Sequence, residues 1–166
     1  MSGKQGKKST GKERRRRIKR ILQASFMATL PLAPRLAAWS ARTRGERRGY
    51  RMEQLKLIAR DGTRLSAALY VPHGSGPFPA LIMVHSWVLS RWQCHLYAPY
   101  FATSGYVVLA YDCRGWGSSG GEVLCADPDH EINDLQDAID WLTQESGLPL
   151  LEGALGVTGI SYGGGH

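Results

Sequence analysis

The sequence predicts an α/β fold in which an antiparallel hairpin opens a sheet that continues as parallel strands separated by helices. Three observations predict it. Two runs, Ala80-Leu81-Ile82-Met83-Val84 and Tyr106-Val107-Val108-Leu109-Ala110-Tyr111, are continuously apolar, the mark of strands covered on both faces. Segments of helical character separate these runs from each other and from a third, Ala154-Leu155-Gly156-Val157-Thr158, and such alternation produces a parallel sheet. Upstream, Gln54-Leu55-Lys56-Leu57-Ile58 and Arg64-Leu65-Ser66-Ala67-Ala68-Leu69-Tyr70-Val71 alternate about an Asp61-Gly62 turn, which suits two antiparallel edge strands.

The remaining elements follow in order. Pro72 to Pro79 is a loop by composition. A helix is expected over Cys94 to Thr103, with Gly105 just past its end. Asp112 to Glu122 is rich in glycine and serine and reads as a turn-forming loop. For the next helix, Asp127 is the expected cap, Pro128 the first helical position, and Asp129 and Glu131 first-turn anions favoured by the helix dipole. Ile132, Leu135, Ile139 and Leu142 mark its apolar stripe. Asp134, Asp137 and Asp140 fall outside that stripe and are expected to form a solvated face, with no metal-site geometry.

The 166 residues suffice for one domain, but charge divides them. Residues 1–60 hold 18 Lys/Arg against 3 Asp/Glu, and residues 61–166 hold 3 against 11. The net charge of +7 is therefore the product of an appended arm, residues 1–48, on a mildly acidic domain, residues 49–166. Residues 1–20, with the run Arg14-Arg15-Arg16-Arg17-Ile18-Lys19-Arg20, cannot bury enough apolar surface to offset chain entropy, and disorder is expected there. The uncharged stretch Ile21 to Pro34 is too short to span a bilayer but fits the core of a signal peptide, with Ala38-Trp39-Ser40 offering a cleavage site. Pro31, Pro34 and the polar Gln23, Ser25 and Thr29 weaken that reading. The expectation is a cytoplasmic protein with a solvated, partly helical arm. Export or organelle targeting is one alternative, and a basic segment lying on an anionic membrane is another. The arm has no interleaved aromatics and no nucleic-acid module, so its expected contacts with anionic surfaces, nucleic acid or lipid, are weak and nonspecific. Cys94, Cys113 and Cys125 have neither a metal-ligand spacing nor an even count, and a Cys113–Cys125 bridge would require export.

The chemistry lies at Gly159-Ile160-Ser161-Tyr162-Gly163-Gly164, a G-x-S-x-G pattern directly after an apolar run. A strand turning sharply into a helix holds a serine at its apex, and glycine is needed on both sides because a β-carbon would strike neighbouring backbone. The turn lifts the hydroxyl clear of the sheet and aims the next N–H at a developing oxyanion. His166 follows Ser161 by five positions, on the succeeding helix, and cannot turn back to it. His85 reads as an oriented loop residue at the end of a strand. His73, His95 and His130 show no pairing logic. Asp112 and Arg114 read as loop-fixing residues.

With these motifs in place the chain resembles an α/β-hydrolase, and more narrowly the X-prolyl dipeptidyl peptidase and cocaine-esterase-like serine hydrolases. The resemblance rests on Arg60-Asp61-Gly62-Thr63-Arg64-Leu65 with Leu69-Tyr70-Val71-Pro72, on Pro79 to Trp87, on the loop Asp112-Cys113-Arg114-Gly115-Trp116-Gly117-Ser118-Ser119-Gly120, and on the serine motif with tyrosine directly after the serine. It runs over residues 50–166. It implies the first part of an α/β-hydrolase sheet, ending just after the nucleophile elbow. Ser161 would form an acyl-enzyme with a small-molecule or peptide substrate, cleaving an ester or amide, X-Pro dipeptidyl bonds included. The Tyr162 N–H would be one oxyanion donor, and Ser86 or Trp87 the other. Many hydrolases carry His-Gly where this chain reads His85-Ser86, and no tyrosine stands in that loop as it does in cocaine-esterase-like members. The acid and histidine of the triad would come later than His166, so residues 1–166 alone are expected to be inactive. No cofactor or metal is implied.

Overall fold

A computed structural model of the protein describes residues 33–166. Residues 1–32, which hold the cationic run and most of the uncharged stretch after it, lie outside the described residues. Helix α1 spans Ala33–Arg48 and therefore includes the Ala38-Trp39-Ser40 segment. It packs on strand β1, Tyr50–Ile58, with Gly45 at the closest approach. A β-carbon on Gly45 would stand 2.7 Å from both the Tyr50 ring and the Tyr50 carbonyl oxygen.

Strand β2, Arg64–Pro72, returns antiparallel to β1 in the register Leu57↔Leu65 and Tyr50↔Pro72. The turn between them closes through Gly62 N–H to the Ala59 carbonyl at 2.7 Å and Thr63 N–H to the Asp61 carboxylate at 2.9 Å. Gly62 has φ +82°, a region open to glycine at little cost. Strand β3, Phe78–Val84, leads through a 3₁₀ turn, Arg91–Leu96, and helix α2, Ala98–Thr103, to strand β4, Val107–Tyr111. The expected single helix from Cys94 is thus two pieces, with Pro99 in the first turn of the second. Helix α3, Glu131–Asp140, ends in one π-type turn, Trp141–Glu145, and precedes strand β5, Leu150–Gly159.

The strands lie in the order β1-β2-β4-β3-β5, with β2 antiparallel to β4 and β3 parallel to both β4 and β5. The period of two along each strand divides the core between the two faces. Leu65, Leu69, Ile82, Val84, Leu109 and Tyr111 pack on the α3 side with Leu135 and Leu142. Ala68, Tyr70, Met83, Val108 and Ala110 pack on the other side with Ala98 and Ala102 of α2. Strand β1 shows the same rule with changing cover. Tyr50 and Met52 belong to the α2 face, and Leu57 to the α3 face.

Two expectations are corrected. Helix α3 begins at Glu131, a turn later than Asp127 and Pro128 suggest. Asp127 instead closes a tight turn, accepting Asp129 N–H at 3.0 Å on its carboxylate and His130 N–H at 3.2 Å on its carbonyl. Strand β5 was expected to be buried, yet Val157 is 44% exposed, because among the described residues β5 pairs only with β3.

Candidate active site

Chain direction around β3 sets the location. From β3 the chain first moves outward to β4, then crosses back past β3 to β5, so the loops after β3 and β5 leave adjacent strand ends. In open α/β sheets that switch point at the carboxyl ends is where ligands bind. Ile160 N–H donates to the Val84 carbonyl at 3.4 Å, joining the two loops at their roots.

The serine turn has the geometry expected of its motif. Ile160 is extended, at φ −111° and ψ 126°, and Ser161 then flips to φ +56° before a 3₁₀ turn, Ser161–Gly165. A side chain at positive φ costs about 1–3 kcal/mol and persists only where its surroundings enforce it. The glycines permit the close backbone packing around it. A β-carbon on Gly159 would lie 2.0 Å from the Gly163 carbonyl oxygen, and one on Gly163 would lie 2.5 Å from the Val84 carbonyl oxygen. Ser161 is exposed at the apex.

The neighbouring loop carries its own strained residue, Val88, at φ +58°, in a turn closed by Leu89 N–H to the Ser86 carbonyl at 3.2 Å. Ser86 N–H donates to Gln93 Oε1 at 2.9 Å. The Trp87 ring lies edge-on to Tyr162, with centroids 5.1 Å apart, and to Trp116 at 4.9 Å. Ser86 and Trp87 therefore stand in the loop facing the serine turn, and Trp87 is in ring contact with the residue after the serine.

The loop after β4 is built round two charged side chains. The Asp112 carboxylate accepts Arg91 N–H at 2.6 Å and Ser118 N–H at 3.0 Å, and it is ion-paired with the Arg91 guanidinium. Gly117 is obligatory there, since a β-carbon would stand 2.3 Å from Asp112 Oδ2. Arg114 donates from Nε and Nη2 to both oxygens of Asp134, at 2.7 and 2.6 Å, and from Nη1 to Asp61 at 2.8 Å. The Arg114 hydrogen bond holds Asp61 down to a pKa of about 2, and the bond to Asp134 raises that of the guanidinium. Asp134 is 1% exposed, which corrects its expected place on a solvated face; Asp137 is ion-paired with Arg60. The buried positions of α3 are Glu131, Asp134, Leu135 and Ala138, so the two acids extend the buried stripe instead of opposing it.

Glu131 is the residue that sequence reasoning missed. At 1% exposure its Oε1 accepts the Tyr162 hydroxyl at 2.6 Å and Leu124 N–H at 3.1 Å, and its Oε2 accepts Asp127 N–H at 3.2 Å. Burial raises the Tyr162 pKa, and the bond to Glu131 raises it further, so the phenol stays protonated and donates. Helical spacing could have flagged Glu131, three positions before Asp134 and four before Leu135.

Every histidine has a place. His85 is fully buried, accepts Cys113 N–H on Nε2 at 3.0 Å, and donates from Nδ1 to the Ser86 carbonyl at 2.8 Å. Because a backbone N–H can only donate, the ring must carry its proton on Nδ1, and burial lowers its pKa. His95 is hydrogen-bonded to Tyr70, and His130 pairs with Asp127 at 2.9 Å, which corrects the expectation that neither has a partner. His166 Nδ1 lies 3.2 Å from the Tyr162 carbonyl. His73 follows β2 at the sheet end opposite the serine turn, its N–H on the Gly49 carbonyl at 2.8 Å.

An apolar concavity of about 180 Å³ lies on the α2 side, lined by Met83, Cys94, Tyr97, Phe101, Thr158 and Ile160 among others; Ser161 and Tyr162 do not line it. None of the three cysteines is in a disulfide, and only Cys125 is exposed. Among the described residues, no group of three His, Cys, Asp or Glu side chains could hold a metal ion, and no helix is long and apolar enough to cross a membrane.

The model of the X-Pro dipeptidyl-peptidase family (S15) matches residues 61–166. A thiohydrolase of Aspergillus aculeatus is 32% identical over 120 residues, covering 67% of this chain and 34% of the relative. The cocaine esterase of a Rhodococcus species is 30% identical over 113 residues, 62% of this chain and 18% of the relative. Among solved structures, an esterase of Pyrococcus furiosus superposes with TM-score 0.58 at 26% identity, covering 70% of this chain and 44% of that one. The chain thus spans about a third or less of the curated relatives' length.

Proposed function

Because the chain belongs to the X-Pro dipeptidyl-peptidase family and has its α/β-hydrolase fold, we propose that it carries the nucleophile and oxyanion donors of a serine hydrolase that cleaves esters. The observation that carries this reading is Ser161, exposed at φ +56° between two glycines at which a β-carbon would strike neighbouring backbone.

In the proposed reaction the Ser161 hydroxyl attacks the substrate carbonyl carbon while a base takes its proton. The carbonyl π pair moves to oxygen and is held by the Tyr162 N–H and a second donor. Ser86 or Trp87 in the facing loop would supply that donor; the Ser86 N–H is held on Gln93 Oε1 at 2.9 Å. Collapse breaks the bond to the leaving alcohol, which takes up the proton and leaves acyl-Ser161; water then repeats the sequence to release the acid. The names of the relatives, an esterase and a thiohydrolase, favour an ester substrate over an amide, although the family description specifies X-Pro peptides. The base is assigned to residues beyond His166, given the positions of the five histidines.

The test is acylation of the complete protein by a fluorophosphonate probe. Ser161 should be the labelled residue, and Ser161→Ala should lose both the label and p-nitrophenyl ester hydrolysis. Label persisting on another serine in that variant would sink the assignment.

A further inference from the structure

We propose that the buried Glu131 is a positioning residue for the oxyanion donor, acting through the Tyr162 hydroxyl. This rests on the reading of Ser161 as nucleophile and Tyr162 N–H as oxyanion donor. The donor is a backbone group on the residue that follows a strained serine. Its direction depends on the rotation of the Ser161–Tyr162 peptide plane. The turn contributes Gly163 N–H to the Ile160 carbonyl at 3.1 Å. The Tyr162 side chain adds a constraint from the opposite end of the residue.

Its ring packs among Trp87, Trp116, His85 and His166, with centroids at 5.1, 6.4, 6.4 and 4.7 Å. The 2.6 Å bond from its hydroxyl to Glu131 Oε1 fixes the far end of the ring. Glu131 is held in turn by two backbone N–H groups from the 124–127 segment, Leu124 and Asp127, one on each oxygen, and by the helix α3 backbone that carries it. The chain of contact therefore runs from α3 through carboxylate and phenol to the backbone atom that would hold the oxyanion. A buried carboxylate with only a packing role would be a poor choice, since an apolar residue of similar volume usually serves stability as well or better. Placement of a donor at a developing charge is worth far more than its ground-state bond, and a small misplacement costs up to a hundredfold in rate.

The test is steady-state ester hydrolysis by the complete protein, with melting temperature measured in parallel. Tyr162→Phe removes the hydroxyl and leaves ring, N–H and both backbone contacts of Glu131 in place. It should lower kcat about tenfold or more, with KM within about twofold and fluorophosphonate labelling of Ser161 slowed in proportion. Glu131→Gln, which keeps shape and one acceptor oxygen, should retain more kcat than Glu131→Ala. Adding Glu131→Gln to Tyr162→Phe should cost less kcat than it does alone, because both act through one bond. If Tyr162→Phe and Glu131→Gln lower the melting temperature but leave kcat at the parent value, the residue is structural and the proposal is overturned. Those results are distinct from failure of the underlying reading, which would appear as activity surviving in Ser161→Ala.

Discussion

The imidazole of His85 accepts the backbone N–H of Cys113 at 3.0 Å, deep between the strands that end at Val84 and Tyr111. Its other nitrogen donates to the Ser86 carbonyl, so both ring positions are engaged, with the proton fixed on Nδ1. The residue ties together the loops after β3 and β4 and has no lone pair to offer a serine. His85→Ala should therefore lower the melting temperature of the complete protein, by several degrees for a lost buried hydrogen-bonding side chain. Fluorophosphonate labelling of the fraction that remains folded should continue. Loss of labelling with an unchanged melting temperature would instead make His85 a participant in the chemistry.

Acid should destabilise the protein below pH 6.5 through its buried histidines. Burial lowers the pKa of His85, and brings that of His95 to about 4. A histidine whose folded pKa is depressed binds more protons when unfolded. Stability therefore rises with pH between the folded pKa and the unfolded value near 6.5, and is lost as pH falls through that window. Each contributes up to about 1.4 kcal/mol per pH unit. Urea midpoints measured from pH 7 to pH 4 should fall accordingly, and His95→Gln should flatten the slope. An equal slope in that variant would contradict the assignment.

Unequal costs are expected for the two partners of Arg114. Asp134→Ala strands a buried guanidinium and should cost about 3–5 kcal/mol. Asp61, at 40% side-chain exposure, has water to replace it, and Asp61→Ala should cost under about 1 kcal/mol. Its carboxyl pKa near 2 adds a stabilising contribution present above about pH 4 and lost as pH falls toward 2. Chemical denaturation of the two variants at pH 7 ranks them directly.

Gly159→Ala and Gly163→Ala should disrupt the serine turn, since the new carbon would meet backbone at 2.0 and 2.5 Å, with no flexible side chain to yield. Gly165→Ala, where nothing stands within 4 Å, is the matched control and should keep parental labelling of Ser161. Comparable labelling in all three would refute the steric argument for the motif.

The 166-residue chain by itself should show no Ser161-dependent hydrolysis of p-nitrophenyl acetate, because each of its histidines is engaged or distant from the serine. Removing residues 1–32, which carry ten Lys/Arg and one acid, should abolish any salt-sensitive heparin or anionic-lipid binding without lowering the melting temperature. Removing residues 1–48 should lower it, by uncovering Tyr50 and Met52 where α1 packs on β1.

The strands were legible in the sequence because hydropathy and a period of two suffice to mark them: Ala80–Val84 and Tyr106–Tyr111 differ from β3 and β4 by two residues at most. The serine turn was legible because its glycines are steric necessities written into one short motif. What stayed hidden were polar groups that are buried because a distant partner meets them. Asp134 and Arg114 are 20 positions apart, and Glu131 and Tyr162 are 31 apart. Hydropathy read one at a time sends every carboxylate to solvent, and only the folded pairing reverses that. His95, which meets Tyr70 from 25 positions away, was missed for the same reason, and the start of α3 and the His130 pairing because Asp127 satisfies a turn as readily as a helix cap.

The position of β3 at the middle of the β4-β3-β5 group also sets an order of assembly. Hairpin partners Ile58 and Arg64 are six positions apart, whereas Ile82 meets Val157 some 75 positions later. Local pairings cost little loop entropy and long-range ones cost more, so the strand leading to Ser161 makes one of the most topologically distant pairings of this sheet. On a ribosome, the serine turn emerges only after the ledge it rests on, the carbonyls of Val84 and His85, has long been available. The turn is thereby added to a ledge already in place.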